Sequence, residues 1–179
     1  PDGGETASSG SFARWLLETV LGGRTVPAAG GGRFVGRATG HGDAVLLDTA
    51  RPLAVTPLGA DASNTSLLVR AGDAGWVVKV FRAFRSGIQP EVEVGEFFAT
   101  SSPSADTPPL CGWLEYEAAD ASAAIATVHE FVPGCTTAWD HLVGLLSDHG
   151  PFDSEALRDA AALAGRLGEA TARMHRALA

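Results

Sequence analysis

Apolar positions in the 179-residue chain fall into helical spacing at both ends and strand-like runs between. Ser11 is placed to cap a helix with Phe12, Trp15, Leu16 and Val20 on one face, and Gly22-Gly23 stop it. The preceding Pro1–Gly10 stretch is Gly/Ser-rich and reads as a linker. Arg33–Arg37 and Ala44–Asp48 form two short strands around Gly40–Gly42, so residues 1–50 read as a small appendage. From Arg51 onward Ala54–Leu58, Thr65–Arg70 and Trp76–Arg82 make an antiparallel meander. Pro90 opens a helix, with Val94, Phe97 and Phe98 as its apolar face. Leu110–Tyr116 and Ala124–Phe131 form a further hairpin. Beyond Pro133-Gly134 the pattern is helical, first over Trp139–Leu146, then from a cap at Asp153 or Ser154 along a stripe from Leu157 to Leu178. The predicted class is α+β, with five antiparallel strands and a helix after the third.

Composition narrows the chemistry. Net charge is -8 at pH 7 and no basic stripe occurs, which argues against a nucleic-acid partner. Cys111, Cys135 and the five histidines show no metal-ligand spacing. With no apolar run of membrane-spanning length and no signal-like start, a cytoplasmic, reducing location is expected. Position 1 is not Met and a helical pattern still runs at Ala179, so both ends read as cut.

Twelve of the 13 basic residues are Arg, and Lys79 is the one Lys. A compact ammonium on a flexible stem is not replaceable by a planar guanidinium, so the exception calls for a chemical reason. Lys79 lies among Val77, Val78, Val80 and Phe81, where its charge needs a phosphate or carboxylate partner; the bland alternative is an ammonium snorkelling to water. The helix from Pro90 offers Glu91, Glu93 and Glu96. Glu93 shares a face with Phe97 and is expected to turn inward onto Lys79, while Glu91 serves the helix dipole. Small residues from Gly59 to Ser66, with Ser63, Asn64, Thr65 and Ser66 as donors, allow backbone N–H groups to approach an anion, although they match neither GxGxxG nor GxxxxGK[ST]. Glu130-Phe131-Val132 ends the last strand, where the Glu130 carbonyl and Val132 N–H are expected to pair with an adenine.

Leu58-Gly59 with Ser63–Ser66, Val77-Val78-Lys79-Val80-Phe81-Arg82, Gln89-Pro90-Glu91-Val92-Glu93-Val94-Gly95, Gly112–Tyr116 and Glu130–Pro133, in that order, resemble bacterial maltokinases. The likeness runs over about Phe12–Ala179. It implies the end of an N-terminal cap (1–50), a protein-kinase-like N-lobe (51–133) and the first helices of a truncated C-lobe (134–179). It further implies ATP and Mg²⁺ as cofactors, maltose as phosphoryl acceptor, a place in glycogen and α-glucan synthesis, and association or fusion with a trehalose synthase. Under it Lys79 contacts the ATP phosphates, Glu93 pairs with Lys79, Ser63–Ser66 border the phosphate loop and Glu130–Val132 form the hinge. The family's His-Gly-Asp catalytic loop and Asp-Phe-Glu metal ligands have no counterpart here, so no catalytic or metal residue is assigned and the chain alone is expected to be inactive. An aminosugar or aminoglycoside kinase relative and a non-catalytic binding module are the competing readings.

Overall fold

The computed structural model describes residues 3–41, 52–59, 64–101, 106–119, 121–149 and 153–179. In chain order the elements are α1 (Gly3–Leu21), β1 (Thr25–Pro27), β2 (Arg33–Ala38), β3 (Ala54–Pro57), β4 (Asn64–Ala71), β5 (Ala74–Phe81), α2 (Pro90–Ser101), β6 (Leu110–Ala118), β7 (Ala121–Glu130), α3 (Ala138–His149) and α4 (Ser154–Leu178). All seven strands join one antiparallel sheet in the order β1-β2-β6-β7-β5-β4-β3. The chain divides into two compact units, Pro1–Pro103 with Thr107–Phe131, and Ser104–Asp106 with Val132–Ala179.

The five-stranded expectation is thus corrected to seven. Strand β2 does not stay in an appendage, because β6 offers it a matched partner. Arg33 sits opposite Glu117 with its guanidinium 2.6 Å from the carboxylate, and Arg37 reaches both Glu115 and Glu117, at 3.1 and 2.8 Å. Cross-strand pairs of opposite charge favour this register over others. The second predicted strand, Ala44–Asp48, lies outside the described residues. The first helix starts at Gly3 rather than after Ser11, so Ser11 is an interior helical residue and no cap.

Helix α1 covers one face of the sheet. Its Ala13, Leu16, Leu17 and Val20 are fully buried against Val69, Trp76, Val78, Leu114, Ala126 and Val128. Burying side chains of this size contributes roughly 1.5–3 kcal/mol each, which is what holds the helix down. Two glycines set how close it comes. A β-carbon at Gly36 of β2 would fall on the Thr19 carbonyl oxygen, and one at Gly112 of β6 would lie 2.7 Å from Val20 Cγ1. Trp15 meets Phe34 edge-on at 5.4 Å between centroids, and Phe34 continues to Tyr116 at 5.3 Å.

Helix α2 packs on the opposite face. Gln89 caps it, accepting the Glu91 N–H at 3.0 Å through its side chain, and Pro90 occupies the first turn, where no N–H is needed. Gly95 allows the helix to settle on β6, since a β-carbon there would come within 2.9 Å of Leu110. That contact sets the rotation of the helix: Val92 and Phe98 are buried, whereas Val94 is exposed.

In the second unit, Thr137 accepts the Asp140 N–H at 3.0 Å and donates to its carboxylate at 2.6 Å at the start of α3. Asp153 caps α4, accepting the N–H groups of Glu155 and Ala156 at 2.9 Å each. Helices α3 and α4 pack together.

The two cysteines are free and differ in environment. Burial pushes the Cys111 thiol up to about 12, with the Glu130 carboxylate adding to the effect, whereas Cys135 is exposed. Thiolate is the reactive form. We therefore expect the native protein at pH 8 to release one equivalent of thionitrobenzoate from Ellman's reagent and the denatured protein two. Two equivalents released at equal rates from native protein would contradict the packing of β6.

Candidate functional site

Antiparallel register decides which side chains share the face beneath α2. Lys79 of β5 lies opposite Ser66 of β4 on one side and opposite Thr127 of β7 on the other. Directly paired residues project from the same face, so Ser66, Lys79 and Thr127 form a row across three strands. Asn64 and Phe81 are paired two residues along the same face, and Val77 pairs with His129 two residues the other way.

The carboxylate that meets Lys79 is Glu91. Its Oε2 accepts from Lys79 Nζ at 2.7 Å, while Oε1 accepts from the Thr127 hydroxyl at 3.2 Å and lies 3.7 Å from His129 Nε2. The Lys79 and Glu91 side chains are 28% and 31% exposed, so the pair is partly shielded from water yet open to a ligand. His129, Lys79 and Thr127 together hold the Glu91 carboxyl down from its ordinary 4.5 to about 2, against burial, which raises it. The other His129 nitrogen, Nδ1, faces the Pro108 carbonyl at 3.4 Å.

The expected pairing of Lys79 with Glu93 is corrected. Glu93 is exposed and lines a groove of about 460 Å³ on the other flank of α2, together with Glu96, Trp113 and Glu115. Residues two apart on a helix project about 200° from one another, so the rotation that buries Val92 and Gly95 carries Glu91 inward and Glu93 outward.

Of the predicted phosphate-loop residues, Ser63 lies outside those described. Asn64, Thr65 and Ser66 belong to β4 rather than to a loop. Asn64 and Ser66 share the face of Lys79. Thr65 does not: it pairs with Val80 on the opposite face, and its hydroxyl is bonded by Arg82 Nε at 3.2 Å. Asn64 also borders a cavity of about 270 Å³ with Phe81, Arg85, Gln89 and Pro90. At the predicted hinge, the Glu130 and Phe131 N–H groups are bonded to the Pro109 and Gly75 carbonyls, both at 3.0 Å, and the two units divide after Phe131.

Glu91, Thr127 and His129 are the site residues that sequence reasoning missed. Thr127 gave no signal within its apolar strand, and His129 read as one of five scattered histidines. A sharper clue for Glu91 was Gly95, four residues on, as a point of close helix approach.

What this constellation can do follows from donor count. An ammonium has three N–H donors and Glu91 takes one, so the remaining directions can reach phosphate oxygens. Among the described residues no group of three or more His, Cys, Asp or Glu is arranged to hold a metal ion, and no helix is long and apolar enough to cross a membrane.

No protein-family model matches the chain. Among solved structures, the chain is similar to a glucosamine kinase in one crystal form, at 24% identity and a TM-score of 0.45. It is also similar to a glucosamine kinase in complex with glucosamine, ADP and inorganic phosphate, at 25% identity and a TM-score of 0.43. In both cases the match covers 86% of this chain and 39% of the other, so the chain spans about two fifths of the length of those proteins.

Proposed function

We propose that this chain is the nucleotide-holding part of an ATP-dependent sugar phosphotransferase, with Lys79 positioning the nucleotide phosphates. The observation that carries the reading is the Lys79–Glu91 pair, a strand lysine gripped at 2.7 Å by a carboxylate from the following helix on an antiparallel sheet. In phosphoryl transfer of the protein-kinase type, such a pair aims the ammonium at the phosphates. Glu91 takes the place assigned to Glu93. Ser66 and Asn64, on the same face, are offered as further phosphate donors, and the Glu130 carbonyl and Val132 N–H as the adenine edge.

The finer reading is a maltokinase, in which ATP and maltose give maltose 1-phosphate, supported by the ordered motifs from Leu58 to Pro133. Magnesium would bridge the phosphates, and this reading assigns its ligands, the catalytic loop and most of the sugar site to residues outside this chain. The proposed division is a cap, an N-lobe and the first C-lobe helices, with β2 of the cap shared into the N-lobe sheet.

Because Lys79 is the only lysine, an acyl phosphate of ATP, which transfers its acyl group to a lysine amine beside the phosphates, gives an unambiguous test. Lys79 should be acylated in the native chain, and excess ATP should suppress the modification, as read by peptide mass spectrometry. Labelling of Lys79 that ATP does not suppress, or none at all while the N-terminal amine reacts, would remove the nucleotide assignment.

A further inference from the structure

Glu91 divides its two carboxylate oxygens between two strands. Oε2 serves Lys79 on β5, and Oε1 is held from β7 by the Thr127 hydroxyl at 3.2 Å, with His129 Nε2 at 3.7 Å. A carboxylate bonded only to a lysine can rotate about its stem and follow the ammonium wherever it moves. Holding the second oxygen removes that freedom. The grip is built into the sheet, since the Lys79–Thr127 register sets the ammonium and the hydroxyl side by side and the Val77–His129 pair brings the imidazole next along. From the helix side, the Gln89 side chain fixes the Glu91 backbone N–H at 3.0 Å.

We propose that Thr127 and His129 are positioning residues, which lock the Glu91 carboxylate from β7 so that Lys79 is already oriented when a nucleotide arrives. The proposal rests on the nucleotide reading for its purpose, and on the hydrogen-bond geometry for its substance. Its physical gain is pre-organisation: a lysine side chain has up to about 2 kcal/mol of rotamer entropy to lose, and ordering it in advance removes that penalty from binding. It also makes α2 a fixed support rather than a helix that must swing in. The charged groups around Glu91 are Lys79 from β5 and His129 from β7, while Glu93 on its own helix is exposed.

The test uses the nucleotide-free chain with ¹³C-labelled glutamate, the Glu91 carboxyl signal being assigned by its disappearance in Glu91→Gln. In the unaltered chain this signal should stay that of an ionised carboxylate down to the onset of acid unfolding. In Thr127→Val and in His129→Phe it should begin to titrate nearer the ordinary glutamate value, and Lys79 acylation by the ATP acyl phosphate should slow by about three- to tenfold, the loss of one hydrogen bond to a charged group. Thr127→Ser, which keeps the hydroxyl, should restore both readouts. An unchanged Glu91 titration in both Thr127→Val and His129→Phe, with cooperative unfolding retained, would overturn the proposal. A Glu91 titration that responds as stated, with Lys79 labelling that ATP never suppresses, would uphold the lock and defeat the nucleotide reading instead.

Discussion

Replacing Gly36 by alanine should destabilise the protein by about 3 kcal/mol or more, a large part of the roughly 5–15 kcal/mol by which a domain is ordinarily stable. The added β-carbon has no room. It would overlap the Thr19 carbonyl oxygen of α1 and lie 2.5 Å from the Thr19 carbonyl carbon and 2.9 Å from Val20 Cα. All three are main-chain atoms of a helix whose buried residues fill the core, so no side-chain rotation relieves the clash. The helix must lift, or β2 must leave β6 and break the Arg33 and Arg37 pairs with Glu115 and Glu117. Urea unfolding followed by tryptophan fluorescence, to which the buried Trp76 contributes, measures the loss. Gly144→Ala in α3 is the control, because a β-carbon there meets nothing within 4 Å, and it should be neutral or stabilising by up to about 1 kcal/mol. Equal midpoints for Gly36→Ala and the unaltered chain would mean that α1 does not sit on β2 as described.

The same contact shows why part of the fold could be read from the sequence and part could not. The strands from Ala54 to Phe131 and the helix between the third and fourth of them were visible because alternation, turn glycines and Pro90 are local signals. That β2 joins β6 depends on residues about 80 positions apart, Arg33 and Arg37 with Glu117 and Glu115, and no local pattern announces such a register. Lys79 stood out because composition isolates it. Its partner did not, because Val92, Val94, Phe97 and Phe98 permit more than one rotation of α2, and the choice is made by tertiary contact at Gly95 with Leu110. One wrong helical phase exchanged Glu91 for Glu93. Thr127 and His129 were invisible for the same reason, since their roles follow from the pairing of β7 with β5.

That exchange leads to the second large effect, which separates the two glutamates by charge removal and by pH. Glu91→Gln should lower stability at pH 7 by on the order of 1–2 kcal/mol after allowance for the exposed part of the pair, whereas Glu93→Gln should stay within about 0.5 kcal/mol of the unaltered chain. The folded state holds the Glu91 carboxyl at about 2, below its ordinary 4.5. A depressed carboxyl favours folding wherever it is ionised in both states, so its contribution is complete above about pH 4.5. It declines as pH falls, and is gone below about pH 2. The stability difference between Glu91→Gln and the unaltered chain should therefore be constant from pH 7 to about 5 and shrink at lower pH. Other depressed carboxyls, Glu117 beside Arg33 and Arg37 and Asp106 beside Arg173, add their own acid sensitivity, but they are present in both proteins and cancel in the difference. Urea midpoints at pH 7, 5, 4 and 3 give the result. A difference that stays constant down to pH 3, or one that appears for Glu93→Gln instead, would place the partner of Lys79 elsewhere on α2.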